Sequence, residues 1–96
     1  MQFQVNIDNR AFNDIQDIDY YNSKQSGLGR RFYNSLNKSI KLLKGNPFFR
    51  IRYDEIRCLP VKKFPYMIHF VVEDKVVIIY AIISTFVNPE NNRAVL

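Results

Sequence analysis

The chain has 96 residues, 47% hydrophobic and 15% aromatic, with one cysteine and a formal net charge of +5. That length holds one compact domain, and the apolar content suffices for a packed core without staples. A single thiol excludes a disulfide scaffold, and no Cys or His stands near Cys58 at metal-ligand spacing, so it reads as a small apolar residue packed in a strand.

The charge is uneven. Residues 30–63 carry ten Lys/Arg against two acids, whereas the segments on either side are each slightly negative. A clustered positive field favours a polyanion or an acidic protein partner. The N-terminus shows no basic region followed by an apolar one. The longest apolar run, Val76 to Ile83, is far too short to span a bilayer. The expectation is a soluble cytoplasmic protein.

Gln2 to Ile7 alternates, with Phe3, Val5 and Ile7 on one side, as in a half-buried strand. Asp8 and Asn9 supply N-cap chemistry. Ala11, Ile15, Ile18 and Tyr21 then form the apolar stripe of a helix, with Asp14, Asp17 and Asp19 off that stripe. Ser26 to Gly29 reads as a break. In the next helix Phe32, Leu36, Ile40 and Leu43 make the stripe, and Arg30, Arg31, Lys38, Lys41 and Lys44 decorate the remainder. Gly45-Asn46-Pro47 ends it: glycine suits a left-handed C-terminal position and proline cannot continue a helix. The short connection predicts an antiparallel helical hairpin.

The remainder reads as strands. Tyr53 to Val61 is one, with Pro60 demanding an edge or a bulge because it has no N–H to donate. Tyr66 to Glu73 is the next, closed by the turn Glu73-Asp74-Lys75. Lys75 to Ser84 is apolar on both faces, as expected of a central, doubly covered strand. The tail from Asn88 is polar and reads as frayed. The predicted order is β-α-α-β-β-β, an α+β two-layer domain with the helical hairpin across a mostly antiparallel sheet that ends in a three-stranded meander.

Several local motifs, in this order, resemble the RelE/ParE toxin superfamily of type II toxin–antitoxin systems. Asp14 to Tyr21 is similar to that family's first helix, ending in a Tyr pair. Gly27-Leu28-Gly29-Arg30-Arg31-Phe32 resembles the start of its second helix, and Gly45-Asn46-Pro47 its stop. Ile56-Arg57, Lys63-Phe64-Pro65-Tyr66-Met67-Ile68, the turn Val72 to Val77, and Asn88-Pro89 complete the likeness. It covers nearly the whole chain, residues 1–96, as one toxin domain of β-α-α-β-β-β order. The resemblance implies a cognate antitoxin that wraps and neutralises the toxin, with no metal and no organic cofactor. It leaves two target classes: DNA gyrase, inhibited by ParE-like members, or ribosome-bound mRNA, cleaved by RelE-like members.

Cleavage of RNA through its 2′-hydroxyl needs a base or orienting group, cationic charge for the phosphorane and a proton for the leaving oxygen. The residues that the resemblance would put there are missing. Met67 stands where ribonuclease members often have arginine. Thr85, Phe86 and Val87 stand where arginines are usual. Cys58 and Pro60 fall near the family's paired lysines, and the tail after Phe86 has no tyrosine. His69, Arg57 and Lys63 remain as catalytic candidates. The residues therefore favour the ParE-like branch and a protein that is not an enzyme. Arg50, Arg52, Arg57, Lys62 and Lys63 are its target-binding candidates, and Arg57, Lys62 and Lys63 are expected to lie near one another.

Strand alternation puts Tyr66, Ile68, Phe70 and Val72 on the core face and Met67, His69, Val71 and Glu73 on the open face. An apolar open face marks a protein-binding site more often than an active site. Leu59, Val61, Met67 and Val71 are accordingly the antitoxin-binding candidates, unless Ala94-Val95-Leu96 covers that face. Two alternatives stand beside this reading: a small basic nucleic-acid-binding domain, and a decayed toxin.

Overall fold

A computed structural model describes residues 2–22 and 24–85, the side chains of residues 21 and 22 excepted. The expected role of Tyr21 in the helix stripe, the Phe86–Pro89 positions and the polar tail lie outside the described residues. The elements are β1 (Gln4–Ile7), α1 (Asn9–Asn22), α2 (Leu28–Gly45), β2 (Ile51–Tyr53), β3 (Ile56–Pro60), β4 (Tyr66–Glu73) and β5 (Val76–Ser84). The strands form one five-stranded sheet in the order β1-β5-β4-β3-β2. β1 is parallel to β5, and every other pair is antiparallel. The chain is thus α+β, as the element pattern predicted.

The predicted single strand from Tyr53 to Val61 is two strands. Asp54 adopts a left-handed φ of 49° between them, and such a residue turns the chain rather than extending it. The meander after the hairpin therefore has four strands, not three. β2 pairs with β3 only through Ile51, Tyr53, Ile56 and Arg57. Pro60 lies beyond that pairing, where β3 is an edge, so its missing N–H costs the ladder nothing.

At the start of α1 the Asp8 carboxylate accepts from the Arg10 amide at 3.3 Å, the anticipated cap. Gly27, with φ 77°, sits immediately before α2. Gly29 is buried inside the first turn of that helix, so Gly27 alone makes the break. At the far end Gly45 is the last helical residue, and extended Asn46 follows it. The expected left-handed glycine is therefore absent. Instead the Asn46 amide donates to the Leu42 carbonyl at 2.9 Å and the Asn46 side chain accepts from the Phe48 amide at 3.2 Å, while proline halts propagation.

Both helices bury their stripes on the same face of the sheet. Ala11, Ile15 and Ile18 from α1 and Phe32, Leu36 and Leu43 from α2 meet Ile68, Phe70, Val77, Ile79 and Ile82. Ile40 packs at the margin of this core, and Ser39 is buried beside it with its hydroxyl donating to the Pro60 carbonyl at 3.4 Å. Phe3 and Val5 pack onto the same core, whereas Ile7, where β1 hands over to α1, is 39% exposed.

β5 is interior but not central, because β4 holds the middle of the sheet. A bulge interrupts its pairing with β4 where the register passes from Phe70↔Ile79 to His69↔Ala81. Such an extra residue reverses which side chains face which way, which explains how Ile79 and Ile82 both reach the helical core. β1 ends opposite Ile79, leaving the second half of that β5 edge without a strand. The Asp14 carboxylate of α1 accepts the Ile82 amide there at 3.0 Å. Asp14 is therefore a structural group, half-buried, and not part of a solvated stripe. Burial pushes its pKa up, against the lowering effects of the Ile82 amide and Arg10.

Candidate functional site

The face of the sheet opposite the helices carries the residues singled out for function. Met67, His69 and Val71 of β4 project there together with Ile56 and Cys58 of β3 and Tyr53 of β2. A second, smaller cluster results, with Tyr53, Ile56 and Cys58 buried and Met67, Val71 and Tyr80 packed against them. Met67 and Val71 remain half-exposed, and their β5 partners Ile83 and Ile78 are half-exposed too. The outcome is an apolar, partly open surface, as expected for Met67 and Val71.

Leu59 and Val61 are not on it. They are 7% and 1% exposed and belong to the helical core. Register explains the correction. Leu59 pairs with Ile68 rather than with Met67, and directly opposed residues of an antiparallel pair share a face. Neither side chain can meet a docked partner without unfolding the core.

His69 projects to the open face, as alternation predicted, yet it is only 1% exposed. Cys58 lies directly opposite it on β3, and Tyr53 closes over the pair from β2. The Tyr53 hydroxyl is 2.9 Å from Nδ1 of His69, and Cys58 Sγ is 3.6 Å from the same atom. The hydroxyl donates to Nδ1 in one imidazole tautomer and accepts from it in the other. Burial, with Arg10 and Arg52 nearby, pushes the His69 pKa down to about 4. Burial also pushes the Cys58 thiol up to about 11, although Arg52 opposes the shift. The imidazole is thus neutral at neutral pH, and the thiol is protonated and unreactive.

A general acid or base must come within hydrogen-bond reach of its substrate. His69 is sealed beneath Tyr53 and does not. The Tyr53–Cys58–His69 cluster could not have been read from the sequence, since nothing local joins residues 53, 58 and 69; only the β3–β4 register does. Among the described residues no group of three or more His, Cys, Asp or Glu side chains is placed to hold a metal ion, and no helix is long and apolar enough to cross a membrane.

The cationic candidates are dispersed. Arg50 and Arg52 are exposed at the β2 edge. Arg57 sits on the helical side of the sheet opposite Phe70, where it is half-buried, donates to the Phe49 carbonyl and rests 5.5 Å over the Phe48 ring. Lys62 and Lys63 lie in the β3–β4 turn, five and six residues beyond Arg57, which at the usual rise per residue is roughly 16–20 Å of chain. The expected cluster of Arg57, Lys62 and Lys63 is therefore not formed. The two lysines instead face Ser35 and Lys38 of α2 across a groove. Arg31 and Lys38, seven residues apart, lie on one face of α2.

The sequence matches no protein-family profile and no curated protein. The fold is nonetheless shared with a solved structure. A chain of the chromosomal ParDE TA system from P. aeruginosa superimposes with a TM-score of 0.75 at 17% identity, over 86% of this chain and 96% of that one.

Proposed function

We propose that this chain is the toxin component of a type II toxin–antitoxin module, a single ParE-like domain acting in the cytoplasm by binding and inhibiting DNA gyrase and neutralised by a cognate antitoxin. The observation that carries the reading is the shared fold, which extends over nearly the whole of a chain from a ParDE system. The burial of His69 supports the same branch, because the one histidine that could have served ribonuclease chemistry is locked into packing.

Two surfaces divide the work in this reading. The antitoxin covers the apolar open face around Met67 and Val71, whose half-exposed side chains gain from removal of water. The exposed Arg50 and Arg52 at the β2 edge contribute to target binding. No cofactor takes part.

Inducible expression tests the proposal. The expected result is growth arrest with filamentation and a DNA-damage response, together with inhibition of gyrase supercoiling by the purified chain. His69→Asn, which keeps an acceptor near the Nδ1 position, should leave arrest intact. Codon-positioned mRNA cleavage with rapid loss of protein synthesis would replace the reading with the RelE-like one. Absence of both arrest and supercoiling inhibition would mark a toxin that has decayed.

A further inference from the structure

The open sheet face is charged at its two ends and apolar between them. At one end Glu55, just before β3, and Glu73, the last residue of β4, line a concavity of about 480 Å³ with Ile56, Val71 and Tyr80 among others. No lysine or arginine is among the described residues that line it. At the other end β3 passes into β4 through Lys62 and Lys63, both exposed, and residues 61–67 contain no acid. Between the ends Met67 lies opposite Ile83 and Val71 opposite Ile78, and all four are half-exposed.

These features are arranged symmetrically about His69. Met67 and Val71 stand on either side of it along β4, about 7 Å each way at the strand rise. The acids flank one end of the β3–β4 pair and the lysines form the turn at the other, so both charges share one lateral position on the sheet. A half-turn about an axis in the face, crossing the strands at His69, therefore has two effects at once. It sets the Met67–Ile83 row over the Val71–Ile78 row of a second copy, and it sets each lysine turn over the other copy's Glu55 and Glu73. Such self-complementarity is what a two-fold interface requires. A different protein would have to reproduce the reversed charge pattern, whereas an identical chain already carries it.

Charge and size both bear on the strength of such a pair. The turn lysines also border α2, but their flexible four-carbon stems let the ammonium groups reach either side of the sheet end. The net charge of +5 opposes association only weakly, because Arg30, Arg31, Lys38, Lys41 and Lys44 belong to α2, on the opposite layer, where salt screens them. The face is about 24 Å wide over its five strands and about 27 Å long at β4. With the outer strands shorter, a pair buries on the order of 1,000 Å² in total, the low end for a specific interface. Association is therefore weak and reversible.

We propose that the open sheet face is a self-association surface: two copies of this chain pack face to face with their strands reversed, Met67, Val71, Ile78 and Ile83 at the centre, and Glu55 and Glu73 of each copy against the lysine turn of the other. Two sheets stacked in this way form a sandwich with a spacing of about 10 Å, and the central side chains lose their water. The pairing goes beyond the toxin reading and does not rest on it. An antitoxin seated on Met67 and Val71 displaces the second copy, so the dimer is a form of the chain alone.

The test is sedimentation velocity on the purified full chain over a concentration series. The expected result is a monomer–dimer equilibrium that dissociates on dilution in the micromolar range. Val71→Arg puts a charge at the centre of the interface and should weaken the dimer by about tenfold or more, and because Val71 is half-exposed the variant should keep its thermal transition. Glu73→Lys and Lys62→Glu, both at exposed positions, should each weaken self-association by about tenfold, since each then meets like charge across the two-fold. Mixed in equal amounts, these two variants should recover association, because the introduced lysine meets the introduced glutamate. The proposal is overturned if the chain stays monomeric throughout the series, if a dimer forms that Val71→Arg leaves undiminished, or if the charge variants associate like the parent or fail to recover on mixing.

Discussion

The two faces of the sheet are built from similar residues and have different fates. On the helical side, Phe32, Leu43, Ile68, Phe70, Val77 and Ile79 are fully enclosed, because two amphipathic helices supply the matching apolar stripes. On the other side no helix is present among the described residues, and the sheet partly covers itself: β2 folds Tyr53 over His69 and Cys58, while Met67, Val71, Ile78 and Ile83 stay half-exposed. One face is finished by the chain's own secondary structure. The other is finished at one end and left available at the other. A polar group shows the contrast best. On the helical side the Asp14 carboxylate serves a backbone amide left over at a sheet edge, whereas on the open side a phenol and a thiol both meet Nδ1 of His69.

If the helical face alone carries the main core, truncation there should dominate the stability of the chain. Leu36→Ala or Ile68→Ala should each cost about 2–5 kcal/mol in denaturant unfolding. Val71→Ala on the open face should cost much less, and equal losses would mean that the two faces do not differ as described.

The buried histidine sharpens the comparison through pH. Its folded pKa is about 4 against 6.5 for the free side chain. Between those values the unfolded chain binds a proton that the folded chain rejects, so stability is complete above pH about 6.5 and declines as pH falls. The loss should reach about 3 kcal/mol near pH 4. His69→Asn should flatten that dependence, and an unchanged slope would mean that His69 is more hydrated than its burial indicates.

Asp14→Ala leaves the Ile82 amide without its acceptor and should cost about 1–3 kcal/mol, with Asp14→Asn recovering part of it. Faster hydrogen exchange at Ile82 in the alanine variant would locate the defect at the bulge. The smallest effect should be Tyr53→Phe, which removes one hydroxyl bond to His69 and should cost about 1 kcal/mol. It should also shift the His69 ring resonances seen by NMR, and no change at His69 would remove the Tyr53 hydroxyl as its hydrogen-bond partner.

Where local chemistry sufficed, sequence reading was accurate. Asp8 caps α1, Gly27 breaks the chain before α2, and Ile68 and Phe70 share the core with Phe32 and Leu36 as their spacing required. It failed where one strand's position depended on another. Leu59 and Val61 meet the helices rather than the open side, because alternation fixes relative sides within a strand but not which side meets the helices. The split at Asp54 is not legible in the sequence because an Asp-Glu pair between apolar runs carries no glycine to advertise a turn, and Asp tolerates the left-handed conformation.

The sequence by itself determined the identity and order of the helices and main strands, the basic middle segment, and the apolar character of both sheet faces. These are consequences of periodicity and composition, which are local. Only the tertiary structure decided that Cys58 faces His69, that Tyr53 seals them, that Arg57 parts from Lys62 and Lys63, and that these lysines meet Arg31 and Lys38 across a channel. Each of those outcomes depends on strand register, on a bulge in β5 or on how a turn docks against a helix. Such long-range pairings are selected by the packing of the whole core, and no short stretch of sequence contains them.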